Sequence, residues 1–385
     1  MRKVGIAFRV LGYLLLAPLV LISWLGLLRT GVMPQYVAQL ILEGLGPPLL
    51  LILLIGLALT LRRWLETRRR GFLIPVVLIG SAVLASGYTL TGYVAAARAH
   101  GVSINLAQAV APQWFRKGPP PHTFVFDRYD GEDAKLHVYP PSGARPGGAP
   151  VLVYVHGGGW KFGDSVGRDR DMRWFAEQGY LAIAVDYTLS ADHRHLWDVT
   201  QPQVACSLAW IGKNAARFGG DADRLALFGE SAGGNLVLNV GNLINADKLA
   251  SRCGGQVPTI KAVAAIYPPV DLRAIYRHPA ATWAAQAYLG GSPEQYPARY
   301  AAVSPVNSTA PSNPPALIIT GLDDNTVPVS DTLAYVKTAH ADGRPVDLIT
   351  IPRAGHGFEI VPGSIGNQTY RIATLNFLKK HGLQP

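Results

Sequence analysis

Three long apolar runs open the chain. Val10–Leu28 holds 19 residues without a charged side chain, Gly44–Leu61 holds 18 and Gly71–Ala97 holds 27. A helix needs roughly 20 apolar residues to cross a bilayer core, so each run predicts a span, near residues 10–28, 40–61 and 72–95. None carries the polar stripe at 3.6-residue spacing that a core helix of a water-soluble domain would show. Pro47-Pro48 predicts a break or kink in the second run, which then borrows Tyr36–Leu42 ahead of it. A signal peptide competes for the first run, because Arg2, Lys3 and Arg9 precede it. No small-x-small cleavage site follows Leu28, however. The expectation is a membrane segment over residues 1–100 with three spans, against one or two.

Beyond His100 the pattern changes. Residues 101–134 are rich in Pro and Gly (Gly118-Pro-Pro-Pro121) and read as a linker and edge strand. Thr123–Phe126 and Lys135–Tyr139 predict an edge hairpin there. From residue 135 to 385, short β-rich runs recur at Val151–Val155, Leu181–Val185, Leu225–Phe228, Ala262–Ile266, Ala316–Thr320 and Val346–Thr350. Helix-length segments alternate with them: Arg170–Gln178, Gln203–Arg217, Gly233–Asn245, Asp331–His340 and Asn367–Lys380. Strands apolar throughout, alternating with helices, predict an α/β fold with a mostly parallel sheet covered on both faces. Leu272–Tyr300 fits neither pattern and is rich in aromatics (Tyr276, Trp283, Tyr288, Tyr296). It reads either as an insertion shaping a pocket or as plain packing.

Charge separates the same two parts. The first hundred residues carry ten Lys/Arg and two acidic side chains, Glu43 and Glu66, whereas the rest carries 25 basic and 23 acidic ones. The formal +10 therefore sits mostly beside apolar runs, which argues against a nucleic-acid partner. Arg62, Arg63, Arg68, Arg69 and Arg70 follow the second run, and only Arg29 lies between the first two. By the positive-inside rule the N-terminus and the arginine loop are cytoplasmic, and everything after Ala97 is carried to the other side of a cell membrane. A two-span reading would reverse this. Cys206 and Cys253 are too few for a disulfide scaffold. In an oxidising compartment they are able to pair, and otherwise they are two separate buried thiols.

The polar residues at the strand ends carry the chemistry, since ligands collect at the carboxyl ends of a parallel sheet. After Leu225–Phe228 comes Gly229-Glu230-Ser231-Ala232-Gly233, a G-x-S-x-G between a strand and a helix. Val151–Val155 runs into His156-Gly157-Gly158-Gly159-Trp160, whose glycines let backbone N–H groups face a developing oxyanion. Ala316–Thr320 leads into Gly321-Leu322-Asp323-Asp324-Asn325-Thr326-Val327-Pro328, and Val346–Thr350 leads to Ala354-Gly355-His356-Gly357-Phe358. A serine hydroxyl becomes a competent nucleophile when a histidine takes its proton and a carboxylate fixes the histidine's tautomer. The chain order Ser231, Asp, His356 places one such group after each of three strands.

These motifs resemble the α/β-hydrolase esterases, in the branch of hormone-sensitive-lipase-like and feruloyl-esterase-like carboxylesterases. The resemblance covers about Leu136 to Leu378. It rests on His156–Trp160, Val185-Asp186-Tyr187, Phe218-Gly219-Gly220-Asp221 and the Gly229–Gly234 elbow. It implies the α/β-hydrolase fold, Ser231 as nucleophile, His356 as base, and an oxyanion hole from the N–H groups of Gly158, Gly159 and Ala232. At the acid the chain departs from the hormone-sensitive-lipase pattern, Asp-Pro-Leu with a further acidic residue, toward the feruloyl-esterase-like G-x-x-D-x-x-V-P. That spacing selects Asp324, four residues before Pro328, and leaves Asp323 to face solvent or cap the loop. The three spans lie outside the shared region.

The expectation is a membrane-anchored serine esterase acting on small-molecule or lipid-like carboxylic esters through an acyl-enzyme. An acyltransferase using the same triad is the alternative, and a non-catalytic binding domain on this scaffold the contrasting class. No metal constellation stands out, and nothing points to an organic cofactor.

Overall fold

The computed structural model describes residues 2–28, 33–111, 118–143 and 146–385; Arg29 and linker residues 112–117 lie outside them. The strands are β1 (His122–Tyr129), β2 (Glu132–Tyr139), β3 (Ala149–Val155), β4 (Leu181–Val185), β5 (Gly220–Glu230), β6 (Ile260–Ile266), β7 (Ala316–Gly321) and β8 (Val346–Ile351). The α-helices are α1 (Arg2–Leu25), α2 (Met33–Thr67), α3 (Leu73–Ala99), α4 (Leu106–Val110), α5 (Asp169–Glu177), α6 (Thr200–Asn214) and α7 (Ala232–Asn245). They continue as α8 (Leu272–Arg277), α9 (Thr282–Leu289), α10 (Pro297–Val303), α11 (Val329–Ala341) and α12 (Ile365–Lys380). Two compact units divide the chain. The first comprises Met1–Phe115 with two segments from far along the chain, Gly321–Asn325 and Thr350–Ile372. The second comprises Arg116–Thr320, Thr326–Ile349 and Ala373–Pro385.

In the second unit the β-rich runs join one sheet, ordered β1-β2-β4-β3-β5-β6-β7-β8. The pairs β4–β3, β3–β5, β5–β6 and β6–β7 are parallel. The β1–β2 hairpin adds antiparallel strands at one edge, turning through Asp130 (φ 51°) and Gly131 (φ 77°). Two left-handed residues in a two-residue loop match the twist of a hairpin, and Asp-Gly supplies them at little cost. Every residue of β3 and β4 is buried. Val151, Val153 and Val155 of β3 share a core with Leu225 and Leu227 of β5, Val263 of β6, Val204 and Leu208 of α6, and Leu236 and Val240 of α7. Continuous apolar strands are what burial on both faces requires. Cys206 of α6 is disulfide-bonded to Cys253, with Cα atoms 5.3 Å apart, so the pairing that the sequence left open is made.

The first unit holds the apolar helices. Leu53 of α2 packs with Ile79 and Ala82 of α3, and Leu16, Leu19 and Val20 of α1 lie against them. Ser86 donates a hydrogen bond to Ser23 across 2.9 Å. Leu14, Leu51, Ile55, Leu59, Ile74, Val77 and Leu84 remain exposed, as a lipid-facing surface would be. Among the described residues two stretches, α2 and Arg70–Ala99, have the length and apolarity of a crossing, fewer than the three expected, and Gly12–Leu25 of α1 is a shorter apolar helix. The N–H groups of Gly26 and Leu27 bond back to Ile22 and Trp24, which closes α1 before Leu28. Pro47 and Pro48 do not break α2, which runs through them for 35 residues. Prolines are tolerated in apolar helices when neighbours satisfy the freed backbone groups.

Candidate active site

Ser231 sits between β5 and α7 with φ 54° and ψ −123°, a conformation that costs a non-glycine residue energy and is kept only where its surroundings impose it. Its N–H donates to Ile266 O (2.9 Å) and its carbonyl accepts from Asn235 N–H (2.9 Å), so both sides of the turn are fixed. Gly233 has to be glycine: a Cβ there would meet Val155 O and lie 2.6 Å from His156 O. The helix start is thereby pressed against the end of β3.

The neighbouring loop belongs to the same unit. In the parallel β3–β5 register Val155 lies opposite Gly229, so His156–Trp160 and the Ser231 turn leave the sheet side by side. A Cβ on Gly157 would be 3.2 Å from Ser231 Cβ. Gly158 (φ 105°) and Gly159 (φ 61°) are left-handed, the backbone that turns successive N–H groups to one side of a loop. Ala232 opens α7, where an N–H has no partner within the helix. Tyr187 holds the loop from below, donating from its hydroxyl to His156 O (3.1 Å) and stacking on the His156 ring at 4.3 Å.

Glu230 is a residue that sequence reasoning passed over. Its carboxylate accepts from Tyr154 Oη–H (2.8 Å) and from Gly157 N–H (3.1 Å), with Arg168 Nε 3.8 Å away. It therefore ties the serine turn to the glycine loop, and the signal for it was an acid two residues past the apolar run Leu225–Phe228. The aromatic segment also reaches this place. Trp283 of α9 is 2.6 Å from where a Gly159 Cβ would be, and its ring lies 5.7 Å from Phe162.

Asp324 and His356 belong to the other unit. Asp324 Oδ2 lies 2.9 Å from His356 Nδ1, and the Asp324 side chain is fully buried. Asp323 does not face solvent. Its side chain is 9% exposed, 4.0 Å from Arg353, and its N–H donates to Ala354 O (2.9 Å). The expectation left it to face solvent or cap the loop, whereas it is packed along the segment that precedes His356. Asp127, Cys206 and Cys253 group at metal-ligand spacing, but the disulfide occupies both sulfurs.

A family model described as BD-FAE matches residues 136–338. The chain is 28% identical over 239 residues to esterase LipC of Mycobacterium tuberculosis, which covers 60% of this chain and 59% of that one. It is 30% identical over 245 residues to an ethyl acetate hydrolase of Pseudomonas putida, covering 60% and 72%. The chain thus spans less than two thirds of the first curated relatives it matches. Among solved structures, apo Thermogutta terrifontis esterase 2 aligns with a TM-score of 0.59 at 22% identity, over 71% of this chain and 99% of that one. Its propionate-bound form aligns at 0.58 and 24%, over 69% and 96%. The shared architecture is the α/β-hydrolase fold.

Proposed function

The chain belongs to the BD-FAE family, and on that premise we propose that it is a membrane-anchored serine esterase hydrolysing carboxylic esters. Ser231 Oγ attacks the ester carbonyl while His356 Nε2 takes its proton. Asp324, on Nδ1, fixes the tautomer and stabilises the imidazolium. The N–H groups of Gly158, Gly159 and Ala232 receive the oxyanion. His356 then returns the proton to the leaving alcohol, and the acyl-enzyme is released by water that His356 deprotonates in turn. The observation that carries this reading is the strained serine turn with Gly157 against its Cβ, the backbone that a strand-to-helix nucleophile turn requires. The relatives' printed names support an ester as substrate.

The two apolar helices near the N-terminus, α2 and α3, are read as the anchor; because they flank the Arg62–Arg70 loop, a cytoplasmic loop still leaves the catalytic part outside, and the reversal expected of a two-span chain does not apply to this pair. The Arg62–Arg70 loop and the Cys206–Cys253 disulfide support that side. Labelling of the parent protein by a fluorophosphonate, and its loss in Ser231→Ala, tests the chemistry. A folded parent that takes no label would sink the reading.

A further inference from the structure

We propose that Glu43, with Gln39 and Tyr93, positions the His356 loop, so that the anchor is part of the active site and not only a tether. The inference rests on the reading of His356 as the base. Of the two acidic residues in the first hundred, Glu66 is exposed and paired with Arg62 at 2.8 Å. Glu43 is 2% exposed, in the N-terminal third of the apolar helix α2. A buried acid in such a helix is costly, so its partner is informative. That partner is the N–H of Gly355, 2.5 Å from Glu43 Oε1 and one residue before His356.

The same loop is held twice more. Arg353 O accepts from Gln39 Nε2 (2.9 Å) and from Tyr93 Oη–H (3.0 Å). Gln39 and Glu43 stand four residues apart on one face of α2, so both reach the loop together. Close approach is built in on both sides. A Cβ on Gly355 would be 3.0 Å from Gln39, and one on Gly44 would be 2.5 Å from Val361. Arg353 itself is left-handed (φ 65°), and its Nη1 donates to Leu27 O at 3.0 Å. Because Asp323 N–H is bonded to Ala354 O, the loop also carries the segment bearing Asp324. Displacing Arg353–Gly355 would therefore shift His356 together with the turn that bears its carboxylate. Glu43 touches no reacting atom; it is a positioning residue.

The test uses the full chain in detergent or lipid nanodiscs, with Glu43→Leu, Glu43→Gln, Tyr93→Phe and His356→Ala. Misplacing a catalytic group by about 1 Å costs on the order of a hundredfold, so Glu43→Leu is expected to lower kcat about 10- to 100-fold with KM within about twofold. Glu43→Gln keeps an acceptor oxygen and is expected to recover to within about threefold of the parent. A purely structural role would lower the melting temperature while leaving kcat per folded molecule unchanged, and that result overturns the proposal. So does a Gln variant as poor as the Leu variant. If Glu43→Leu does not fold, Tyr93→Phe carries the test, with a fall of several-fold in kcat expected and parental kcat overturning. His356→Ala separates the two levels. Inactive His356→Ala with parental Glu43→Leu overturns this inference alone, and active His356→Ala overturns the base assignment and this inference with it.

Discussion

Asp323 and Asp324 are adjacent in the chain and have different surroundings. Asp324 lies on His356 Nδ1, whereas Asp323 lies beside Arg353 and bonds the backbone of Ala354. Asp324→Asn is expected to lower kcat by about four orders of magnitude with the fold intact, because the histidine is then held in the wrong tautomer. Asp323→Asn is expected to keep most activity. Steady-state kinetics on a p-nitrophenyl ester decides, and the opposite ranking would exchange the two roles. His156 gives a pH signature. Burial holds its imidazole below the ordinary histidine range, against the Gly157 carbonyl and the Asp186 and Asp164 carboxylates, which favour the charge. The unfolded chain binds a proton near pH 6.5 and the folded one resists it, so this stabilisation is whole above about pH 6.5 and is lost as pH falls toward the folded value. His156→Gln should lose less melting temperature than the parent between about pH 7 and 5; equal losses would show that His156 is not a source of the acid sensitivity.

At the scale of elements, α9 and the disulfide each make a prediction. Trp283, 44% exposed, stands over the glycine loop beside Phe162 and narrows the space next to Gly159. Trp283→Ala is expected to raise kcat/KM for octanoyl over butyryl esters about tenfold, and an unchanged ratio would return α9 to plain packing. The Cys206–Cys253 bond closes a loop of 47 residues, worth about 4 kcal/mol in chain entropy. Its loss in Cys206→Ser is expected to lower the melting temperature by roughly 10 °C, read by thermal unfolding with and without reductant; a parent insensitive to reductant would contradict the bond's weight. The strands were legible from apolar runs, yet β5 extends back to Gly220, well before Leu225, because pairing with β3 recruits polar residues that no periodicity marks. Similarly α2 crosses two prolines, which local propensity alone reads as a break.

For the whole molecule, topology follows from where the first unit's loop attaches. Gln39 and Glu43 lie about 20 residues, or roughly 30 Å of helix, from Arg62 on α2. Leu27 and Tyr93 lie toward the corresponding ends of α1 and α3. The His356 loop thus attaches at the end of the helices opposite the arginines. Alkaline phosphatase fused after residue 100 is expected to be active and a cytoplasmic reporter silent; the reverse would place the catalytic part inside the cell.

What the sequence determined alone is whatever short stretches encode: apolar runs long enough for helices or strands, the strand–turn–helix around Ser231, and the order Ser231, Asp324, His356. These are local because an apolar run and a turn's backbone preference depend on residues within a few positions. What only tertiary structure decided involves residues far apart. Glu43 and Gly355 are separated by 312 positions, Glu230 and Gly157 by 73, and Cys206 and Cys253 by 47. In the sequence Glu43 is a lone acid in an apolar run and Glu230 the unspecified letter of a motif. Each acquires its partner only when folding brings a backbone N–H against it, and a buried carboxylate then has to take that partner or bear the cost of leaving water.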